Sequence, residues 1–281
     1  MRHVIAIAGP TGSGKTGLAI ELAKELDGEV ISVDSRLIYK GFNIAAAKPS
    51  LEEMEGVPHH MIDIVEPENN YTAADYKKEA SARINDIISR GKVPIAAGGS
   101  GLYFRILLEN YALPEIKCAP ELREELKKYP NEELYNELKE KDFVSAQRIH
   151  MNDRVRLIRA LEVIRTLNRP FSEVSVLKEP EYDVEWIFPK IISREELYNR
   201  INTRVDKMVQ AGIVEETKFL LKRHGRIKTI TETIGYKEII LYLDGIISLD
   251  EAVAALKKNT RHYAKRQITW FRKTPGLKVN I

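Results

Sequence analysis

A glycine-rich segment near the start of the chain, GPTGSGKT (residues 9–16), has the spacing of a loop that binds phosphate groups. It lies between a short apolar run, VIAIA, and a helical pattern, which is the context that this motif requires. Gly12 and Gly14 let successive backbone N–H groups point at anionic oxygens, and the next helix directs its positive end to the same place. Lys15 adds a mobile charge, and the Thr16 hydroxyl suits Mg²⁺. The residues predicted to bind phosphate are Gly9, Pro10, Thr11, Gly12, Ser13, Gly14, Lys15 and Thr16.

A second candidate for chemistry is Asp34, which follows the apolar run EVISV at the point where a strand is expected to end. An aspartate in this place can be a simple helix N-cap that accepts a backbone N–H. It can also be a general base that faces the phosphate loop and removes a proton from an amine or hydroxyl nucleophile. These two interpretations stay open at the level of residue types.

The first hundred residues predict the elements that would position these groups. VIAIA, EVISVD, HHMIDIV and VPIAAGG are predicted strands, and TGLAIELAKEL and TAADYKKEASARINDIISRG are predicted helices. Such alternation indicates a parallel sheet with right-handed crossovers, whose ligands bind beyond the carboxyl ends of the strands. Gly9, Asp34 and Gly98 all fall at such ends, so one crevice is expected to collect them. The predicted fold class is α/β, with a P-loop NTPase-like parallel-sheet core.

The composition changes near Pro114, where a charged, helical pattern begins and continues to about Tyr182. VEWIFPKII then predicts another strand and a return to the sheet, and the remaining sequence is helical in pattern. We therefore expect a catalytic core made of residues 1–113 and 183–281, with C-terminal helices. Residues 114–182 are expected to form a helical insertion domain.

Composition excludes several classes of protein. Hydrophobic residues at 43% and charged residues at 30% are typical of a folded globular chain. Cys118 is the only cysteine, which excludes an intramolecular disulfide and a multi-cysteine zinc site. The apolar run near the start is too short for a signal peptide or a membrane span, so we expect a cytoplasmic protein that does not contact membranes. His59 and His60 are neighbours on a predicted strand and point to opposite faces, which disfavours a histidine metal site.

Two segments concentrate positive charge although the formal net charge is only +3. Residues 147–169 contain six arginines against two acids, and residues 254–273 contain seven lysines or arginines and no acid. Aromatic residues alternate with the charges in the second segment. This pattern is typical of a surface that binds nucleic-acid phosphates. A solvated basic face over ordinary core aromatics is the alternative that composition leaves open.

The chain resembles the tRNA dimethylallyltransferase (isopentenyltransferase) family in a series of segments that occur in the family's order. Besides the phosphate loop they are DSRLIYKGFNIAAAKP, GVPHHMIDIVEP, YTAADY, GGSGLY, HMNDRVRLIRALEV, LYNRINTRVDKMVQAGIVEE, IGYKEI and NTRHYAKRQITWF. The zinc-finger extension of eukaryotic relatives does not follow them, so we expect a bacterial-type enzyme. The resemblance implies transfer of a dimethylallyl group from dimethylallyl diphosphate to N6 of the adenosine 3′-adjacent to the anticodon in tRNA, with release of diphosphate.

The resemblance also implies roles for individual residues. The phosphate loop with Mg²⁺ would hold the departing diphosphate, and Asp34 would remove a proton from the adenine amine. An arginine of LYNRINTRVD would bind the diphosphate, with Arg204 as the first choice and Arg200 as the second. Ser100 stands where the family usually has threonine and keeps the hydroxyl. The expected catalytic residues are Asp34, Lys15, Thr16, Ser100 and Arg204.

The anticodon stem-loop of tRNA is the expected macromolecular partner, contacted in part by the insertion domain, and we expect the enzyme to be a monomer. The predicted tRNA-binding residues are Asp34, Ser35, Arg36, Leu37, Ser100, Arg123, Arg156, Arg159, Gly235, Tyr236, Lys237, Lys265 and Arg266. The sequence departs from the family pattern at Ala45 and Ala46, which replace a glycine–threonine pair. It also departs at Leu37 and Val155, where glutamine is common.

Two other functions fit part of the pattern. One is a P-loop kinase of a nucleotide or small metabolite, and the other is a non-catalytic RNA-binding protein that uses the loop as a ligand switch. The sequence lacks an Asn-Lys-x-Asp base-recognition motif and a second strand that ends in an apolar run, an Asp and a hydrolytic Glu or Gln. These absences make a hydrolytic NTPase the weaker interpretation.

Overall fold

The computed structural model of the chain describes residues 2–114, 116, 119–191 and 193–280, so Cys118 lies outside the described residues. The strands are β1 (Arg2–Ala8), β2 (Gly28–Val33), β3 (His59–His60), β4 (Val93–Gly98) and β5 (Tyr182–Ile187). The helices are α1 (Lys15–Glu25), α2 (Ala73–Ser89), α3 (Gly101–Leu107), α4 (Pro120–Leu126), α5 (Asn131–Lys141), α6 (Phe143–Arg148), α7 (Arg154–Leu167), α8 (Phe171–Val174), α9 (Arg194–Gln210), α10 (Ile213–His224), α11 (Lys228–Thr231), α12 (Tyr236–Leu243) and α13 (Leu249–Phe271).

The sheet has the order β3-β2-β4-β1-β5, and every pair of neighbouring strands is parallel. The predicted α/β class with a parallel sheet is thereby confirmed. Residues Val4–Ala8 of β1 are all buried; β4 and β5 flank this strand, and Ile5 and Ile7 pack against α1. Burial of both faces of the strand explains why VIAIA is a continuous apolar run instead of an alternating one.

The third strand is much shorter than the predicted HHMIDIV, since pairing with β2 stops after His60. Met61 and Asp63 adopt left-handed backbone conformations, with φ of 64° and 53°, which end the regular strand. The chain then pairs with the segment after Asp34: the N–H of Asp63 donates to the Leu37 carbonyl at 3.0 Å. The segment therefore supports the turn that carries Asp34.

Glycine and proline divide several of the predicted helical stretches. Gly212, with φ of 91°, separates α9 from α10, and Pro130 separates α4 from α5. The predicted strand VEWIFPKII ends at Ile187, because Pro189 lacks the N–H that a strand pair needs. Its last residue, Ile192, lies outside the described residues.

Two compact units make up the chain. The first contains the described residues up to Leu107 and from Glu181 onward, and the second contains Leu108–Pro180. The sequence predicts the two boundaries of the insertion between residues 113 and 114 and between residues 182 and 183. The apolar residues of β1, β2 and β4 pack on α1 in the first unit, whereas leucines of α4, α5 and α7 form a separate core in the second. Among the described helices, none is long and apolar enough to cross a membrane.

Candidate active site

The phosphate loop links β1 to α1 and exposes unpaired backbone donors. Gly12 and Gly14 have φ of 81° and 84°, a conformation that glycine adopts without strain. No side chain caps α1, and the N–H groups of Lys15 and Thr16 have no acceptor among the described residues. Free donors at a helix N-terminus form an anion site, so the loop fits a diphosphate or triphosphate group.

Lys15 curls back into this loop. Its Nζ donates to the Pro10 carbonyl oxygen at 2.6 Å. Burial and then the positive charge of Arg204 lower the pKa of Lys15 to about 7, while the negative charge of Asp34 acts in the opposite direction. An anionic ligand would therefore bind beside an amine that titrates near neutral pH.

The lowered pKa predicts that diphosphate binding depends on pH. Above pH 7 the loop without an anion holds a mainly neutral Lys15, and a bound diphosphate raises the pKa and recruits a proton. The affinity for inorganic pyrophosphate should therefore fall as the pH rises from about 7 to 9, by at most about tenfold per pH unit. Calorimetry in magnesium-free buffers of different ionisation heats measures both the affinity and the proton uptake.

Lys15→Arg is the control for this prediction, because a guanidinium stays charged throughout the range. The ionisation of pyrophosphate itself is common to both proteins and cancels in the comparison. Equal pH slopes for wild type and Lys15→Arg would contradict the prediction.

Arg204 contacts the loop directly, whereas Arg200 does not. The Arg204 guanidinium donates to Thr11 Oγ1 at 3.0 Å, and burial lowers the pKa of Arg204. Arg200 lies one turn earlier on α9, forms an ion pair with Glu196 and lines a groove of about 760 Å³ that Arg204 also borders, but it does not line the cavity of the phosphate loop. The geometry therefore favours Arg204 over Arg200 as the diphosphate ligand.

Asp34 holds a turn and does not cap a helix, and its role as a general base stays a prediction. Its Oδ1 accepts the N–H of Arg36 at 2.7 Å and that of Leu37 at 3.3 Å, which fixes the carboxylate over the turn after β2. Its Oδ2 accepts no hydrogen bond from any residue that the structure describes. One oxygen therefore holds the side chain in place and the other is available to accept a proton.

Ser100 supports the same turn from the neighbouring strand. Its Oγ accepts the N–H of Ser35 at 3.1 Å, and its own N–H donates to the Val33 carbonyl at 3.1 Å. The side chain thereby connects the end of β2 to the segment after β4. The predicted catalytic role of Ser100 stays a prediction, while its hydroxyl holds the residue that follows Asp34.

These groups surround one cavity of about 420 Å³ in the first unit. The charged and polar part of its lining consists of Thr11, Lys15, Thr16, Asp34, Ser35, Arg36, Arg204, Glu232, Thr233, Lys237, Thr260, Tyr263, Arg266 and Gln267. The apolar part of the lining consists of Leu37, Ala45, Ala46, Ala47, Ala97, Ile201, Val205, Met208, Ile234 and Leu256. A ligand with an anionic head and a small hydrocarbon group fits such a division.

Helix α13 forms one wall of the cavity, and of its lining residues the sequence analysis assigned only Arg266 to the site. Tyr263 lines the cavity, and the guanidinium of Arg266 lies 5.7 Å from the centre of its ring. Gln267, one turn after Tyr263, accepts the N–H of Thr11 and donates to the Gly99 carbonyl, each at 2.9 Å. In the sequence, Gln267 is visible only as a glutamine on the buried face of a basic helix. Its role could not be predicted, because its partners lie more than 160 residues away in sequence.

Glu216 on α10 is a second residue that supports the site and that the sequence analysis did not single out. Its carboxylate accepts the N–H groups of Asn43, Ile44 and Ala45 at 2.9–3.2 Å, together with the hydroxyl of Tyr236 at 2.8 Å. It therefore fixes the backbone of the loop that provides Ala45, Ala46 and Ala47 to the cavity. Lys48, at the end of this loop, pairs with Asp63 and Asn43.

The predicted tRNA-binding residues of the first unit have different surroundings. Arg36, Leu37, Lys237 and Arg266 line the cavity, and Lys265 is exposed beside it on α13. Tyr236 is fully buried and its hydroxyl donates to Glu216, so its side chain does not lie on the surface; its assignment to tRNA binding stays a prediction. Gly235 permits close packing, because a Cβ there would approach Ala45 Cβ to 2.8 Å.

In the second unit, one buried carboxylate engages two of the three predicted arginines. Glu162 is 0% exposed and accepts hydrogen bonds from Arg123 and Arg159 at 2.7–2.9 Å. These pairs hold the pKa of Glu162 below its usual value against the effect of burial. Because a buried carboxylate needs such partners, Arg123 and Arg159 have a structural role in this unit. Arg156 is 61% exposed and contacts only Asp153 among the described residues.

The donor set for a metal is limited. No group of three or more His, Cys, Asp or Glu side chains in the described part of the chain could hold an ion. His59 Nδ1 bonds to the Val57 carbonyl and His60 Nε2 to Glu29, whereas His59 Nε2 is buried without a partner among the described residues. The Thr16 hydroxyl lies at the cavity, which suits an Mg²⁺ ion that takes its remaining ligands from diphosphate oxygens and water.

Comparisons with known proteins all lead to one family. Residues 37–274 match the model of the IPP transferase family. A tRNA dimethylallyltransferase from Caldanaerobacter subterraneus is 46% identical over 279 residues, which cover 96% of this chain and 89% of that protein. The tRNA dimethylallyltransferase 1 of Citrifermentans bemidjiense is also 46% identical, with the same two coverages.

Solved structures similar to this chain belong to the same type of enzyme. The full-length tRNA isopentenylpyrophosphate transferase from Bacillus halodurans superposes with a TM-score of 0.73 at 40% identity, covering 99% of this chain and 89% of that one. A eukaryotic dimethylallyltransferase acting on tRNA superposes with a TM-score of 0.77 at 32% identity, covering 96% of this chain and 70% of that one.

Proposed function

Since the chain belongs to the IPP transferase family, we propose that it transfers a dimethylallyl group from dimethylallyl diphosphate to N6 of the adenosine 3′-adjacent to the anticodon in tRNA. One observation carries the proposal. A carboxylate oxygen of Asp34 without a described partner lies in the same cavity as the phosphate loop, Lys15 and Arg204. A base for the acceptor and a set of cations for the leaving group are thereby combined.

The phosphate loop stabilises a leaving group in this reaction. The allylic C–O bond breaks and its electron pair goes to the diphosphate oxygen, so negative charge grows where the loop amides, Lys15 and Arg204 converge. Donors that are already oriented toward a developing charge need little reorganisation, and this electrostatic contribution is often the largest one in catalysis. The apolar lining of the cavity would accommodate the five-carbon group.

The acceptor side depends on Asp34. The lone pair of N6 is delocalised into the adenine ring, so the amine is a weak nucleophile. As the new C–N bond forms, the N6 proton moves to Oδ2 of Asp34, and the hydrogen bonds to Oδ1 keep the carboxylate in position. Ser100 holds the turn through Ser35.

Mg²⁺ fits the same arrangement through the Thr16 hydroxyl. When bound, the ion would neutralise part of the charge on the diphosphate. Thr16 would be its ligand from this chain, and the loop amides with Lys15 would bind the oxygens that the ion leaves free.

The anticodon stem-loop is the proposed RNA partner. Lys237 and Arg266 at the cavity and Lys265 beside it supply cations for phosphates, and Arg156 of the insertion unit supplies another. A base in a loop is partly unstacked, so its extrusion into a pocket costs only a few kcal/mol. Every residue proposed for the chemistry comes from one chain, so a monomer is sufficient.

A direct assay tests the proposal. The protein, Mg²⁺, dimethylallyl diphosphate and an anticodon stem-loop with adenosine 3′ to the anticodon should yield N6-dimethylallyladenosine, detected by mass spectrometry of the digested RNA. The matched control is a stem-loop with guanosine at that position, which lacks the N6 amine. ATP turnover without the prenylated nucleoside would favour a kinase, and RNA binding without turnover would favour a ligand switch.

The positive charge on α13 gives a prediction about RNA binding. Lys265→Ala combined with Arg266→Ala should weaken tRNA affinity and reduce the slope of log K against log salt by about 1.4, since each phosphate contact to single-stranded RNA contributes about 0.7. Fluorescence anisotropy at several salt concentrations measures this slope. Lys218→Ala with Lys222→Ala removes two exposed charges from α10 and is the matched control. An unaltered slope in the α13 variant would show that these side chains do not contact phosphate.

A further inference from the structure

Gln267 has both ends of its side-chain amide engaged in the interior of the protein. The residue is 5% exposed, its Oε1 accepts the N–H of Thr11 at 2.9 Å, and its Nε2 donates to the Gly99 carbonyl at 2.9 Å. The opposite orientation of the amide would place donor against donor and acceptor against acceptor at both ends. The two hydrogen bonds therefore specify one orientation of the side chain.

The two groups that Gln267 joins both line the cavity. Thr11 belongs to the phosphate loop, and Gly99 follows β4 immediately before Ser100. A Cβ at position 99 would lie 2.2 Å from Gln267 Nε2, so glycine is required for the close approach. Gln267 thus connects α13 to two separate segments of the site.

Thr11 is held from two directions as a result. Gln267 fixes its backbone N–H, and Arg204 donates to its hydroxyl at 3.0 Å. Thr11 occupies the part of the loop just before Gly12, where the chain turns so that its later amides can converge on a ligand. A rotation of the Thr11 peptide would displace these amides and also remove the acceptor that orients Arg204.

We propose that Gln267 is a positioning residue for the diphosphate: it holds the phosphate loop and Arg204 in the geometry that binds this group, from outside the loop motif. The inference rests on the proposed function, because diphosphate is the ligand whose position is fixed. Gln267 is not expected to touch the reacting atoms. It acts through Thr11.

The test uses Gln267→Met, which keeps the length of the side chain and removes both hydrogen bonds. Calorimetry with inorganic pyrophosphate, steady-state kinetics with dimethylallyl diphosphate and tRNA, and thermal unfolding are measured on the full chain. Loss of two hydrogen bonds should raise the Kd for pyrophosphate and the KM for the donor by about tenfold, with a smaller change in kcat and an unchanged affinity for tRNA. Thr269→Val, which removes a hydroxyl bonded only to Lys265 on the same helix, is the control and should leave all these values unchanged.

A merely structural role gives a different result. It would lower the melting temperature and the active fraction, and hence kcat, while the Kd for pyrophosphate stayed the same; that outcome would overturn the inference. If Gln267→Met does not fold, Gln267→Leu removes the same two hydrogen bonds. The Kd of that variant for pyrophosphate is then compared with the wild-type value. A wild-type protein that binds pyrophosphate but does not prenylate RNA would refute the proposed function, whereas an unchanged Kd in an active enzyme would refute only the inference about Gln267.

Discussion

Replacing Asp34 by asparagine is expected to reduce the turnover of adenosine prenylation by about 10²–10⁴-fold, the usual contribution of a general base. The asparagine Oδ1 can still accept the N–H groups of Arg36 and Leu37, so the turn after β2 should keep its shape. What is lost is the carboxylate oxygen that has no partner among the described residues. The effect should therefore fall on the chemical step, and single-turnover kinetics at saturating donor and RNA measure it.

Two other variants separate the chemistry from the structure. Asp34→Ala also removes the hydrogen bonds to Arg36 and Leu37, so it should lower tRNA affinity in addition to turnover. Asp63→Asn changes a carboxylate that pairs with Lys48 and does not line the cavity, and it should leave the chemical step intact. Turnover of Asp34→Asn at the wild-type level would mean that the proton leaves N6 by another route.

Arg204→Ala is expected to have the second-largest effect, a loss of about 10²–10³-fold in kcat/KM for the donor, as is typical when one donor to a developing anion is removed. The guanidinium holds Thr11 and contributes positive charge beside Lys15. Removal of that charge should also raise the pKa of Lys15, so the fall in diphosphate affinity with pH should begin at a higher pH than in the wild type.

Arg200→Ala is the matched control, since it removes the same type of side chain one helical turn away. Its partner is Glu196, and it makes no hydrogen bond to the loop. A weak, salt-sensitive effect is expected for an exposed ion pair. If Arg200→Ala instead lost as much donor kcat/KM as Arg204→Ala, both arginines would have to bind the diphosphate.

The reliable part of the sequence analysis came from local patterns. The phosphate-loop spacing, the buried strand before it and the amphipathic helices each depend on residues close in sequence, and the segments that resemble the family placed the chain correctly. The assignment of Asp34, Lys15 and Arg204 to the chemistry stays a prediction, although the structure brings all three to one cavity.

The missed features depend on partners that are distant in sequence. Gln267 and Glu216 act through backbone groups far away along the chain, and no local pattern reports such pairs. Glu162 is an acid inside the apolar stretch RALEVIR, and a buried carboxylate needs cationic partners such as Arg123 and Arg159. The assignment of these two arginines to tRNA binding, which came from the family resemblance, stays a prediction.

The hold of Glu216 on the main chain at Asn43, Ile44 and Ala45 has a consequence for how this enzyme can diversify. Because the carboxylate accepts peptide N–H groups, these hydrogen bonds hold the loop backbone without using the side chains at positions 44 and 45. Ala46, the next residue, lines the cavity. Substitutions at position 46 can therefore change the wall of the cavity while the hydrogen bonds of Glu216 keep the loop backbone in place. A library at this position is the first choice in a search for variants that accept bulkier or more polar donors.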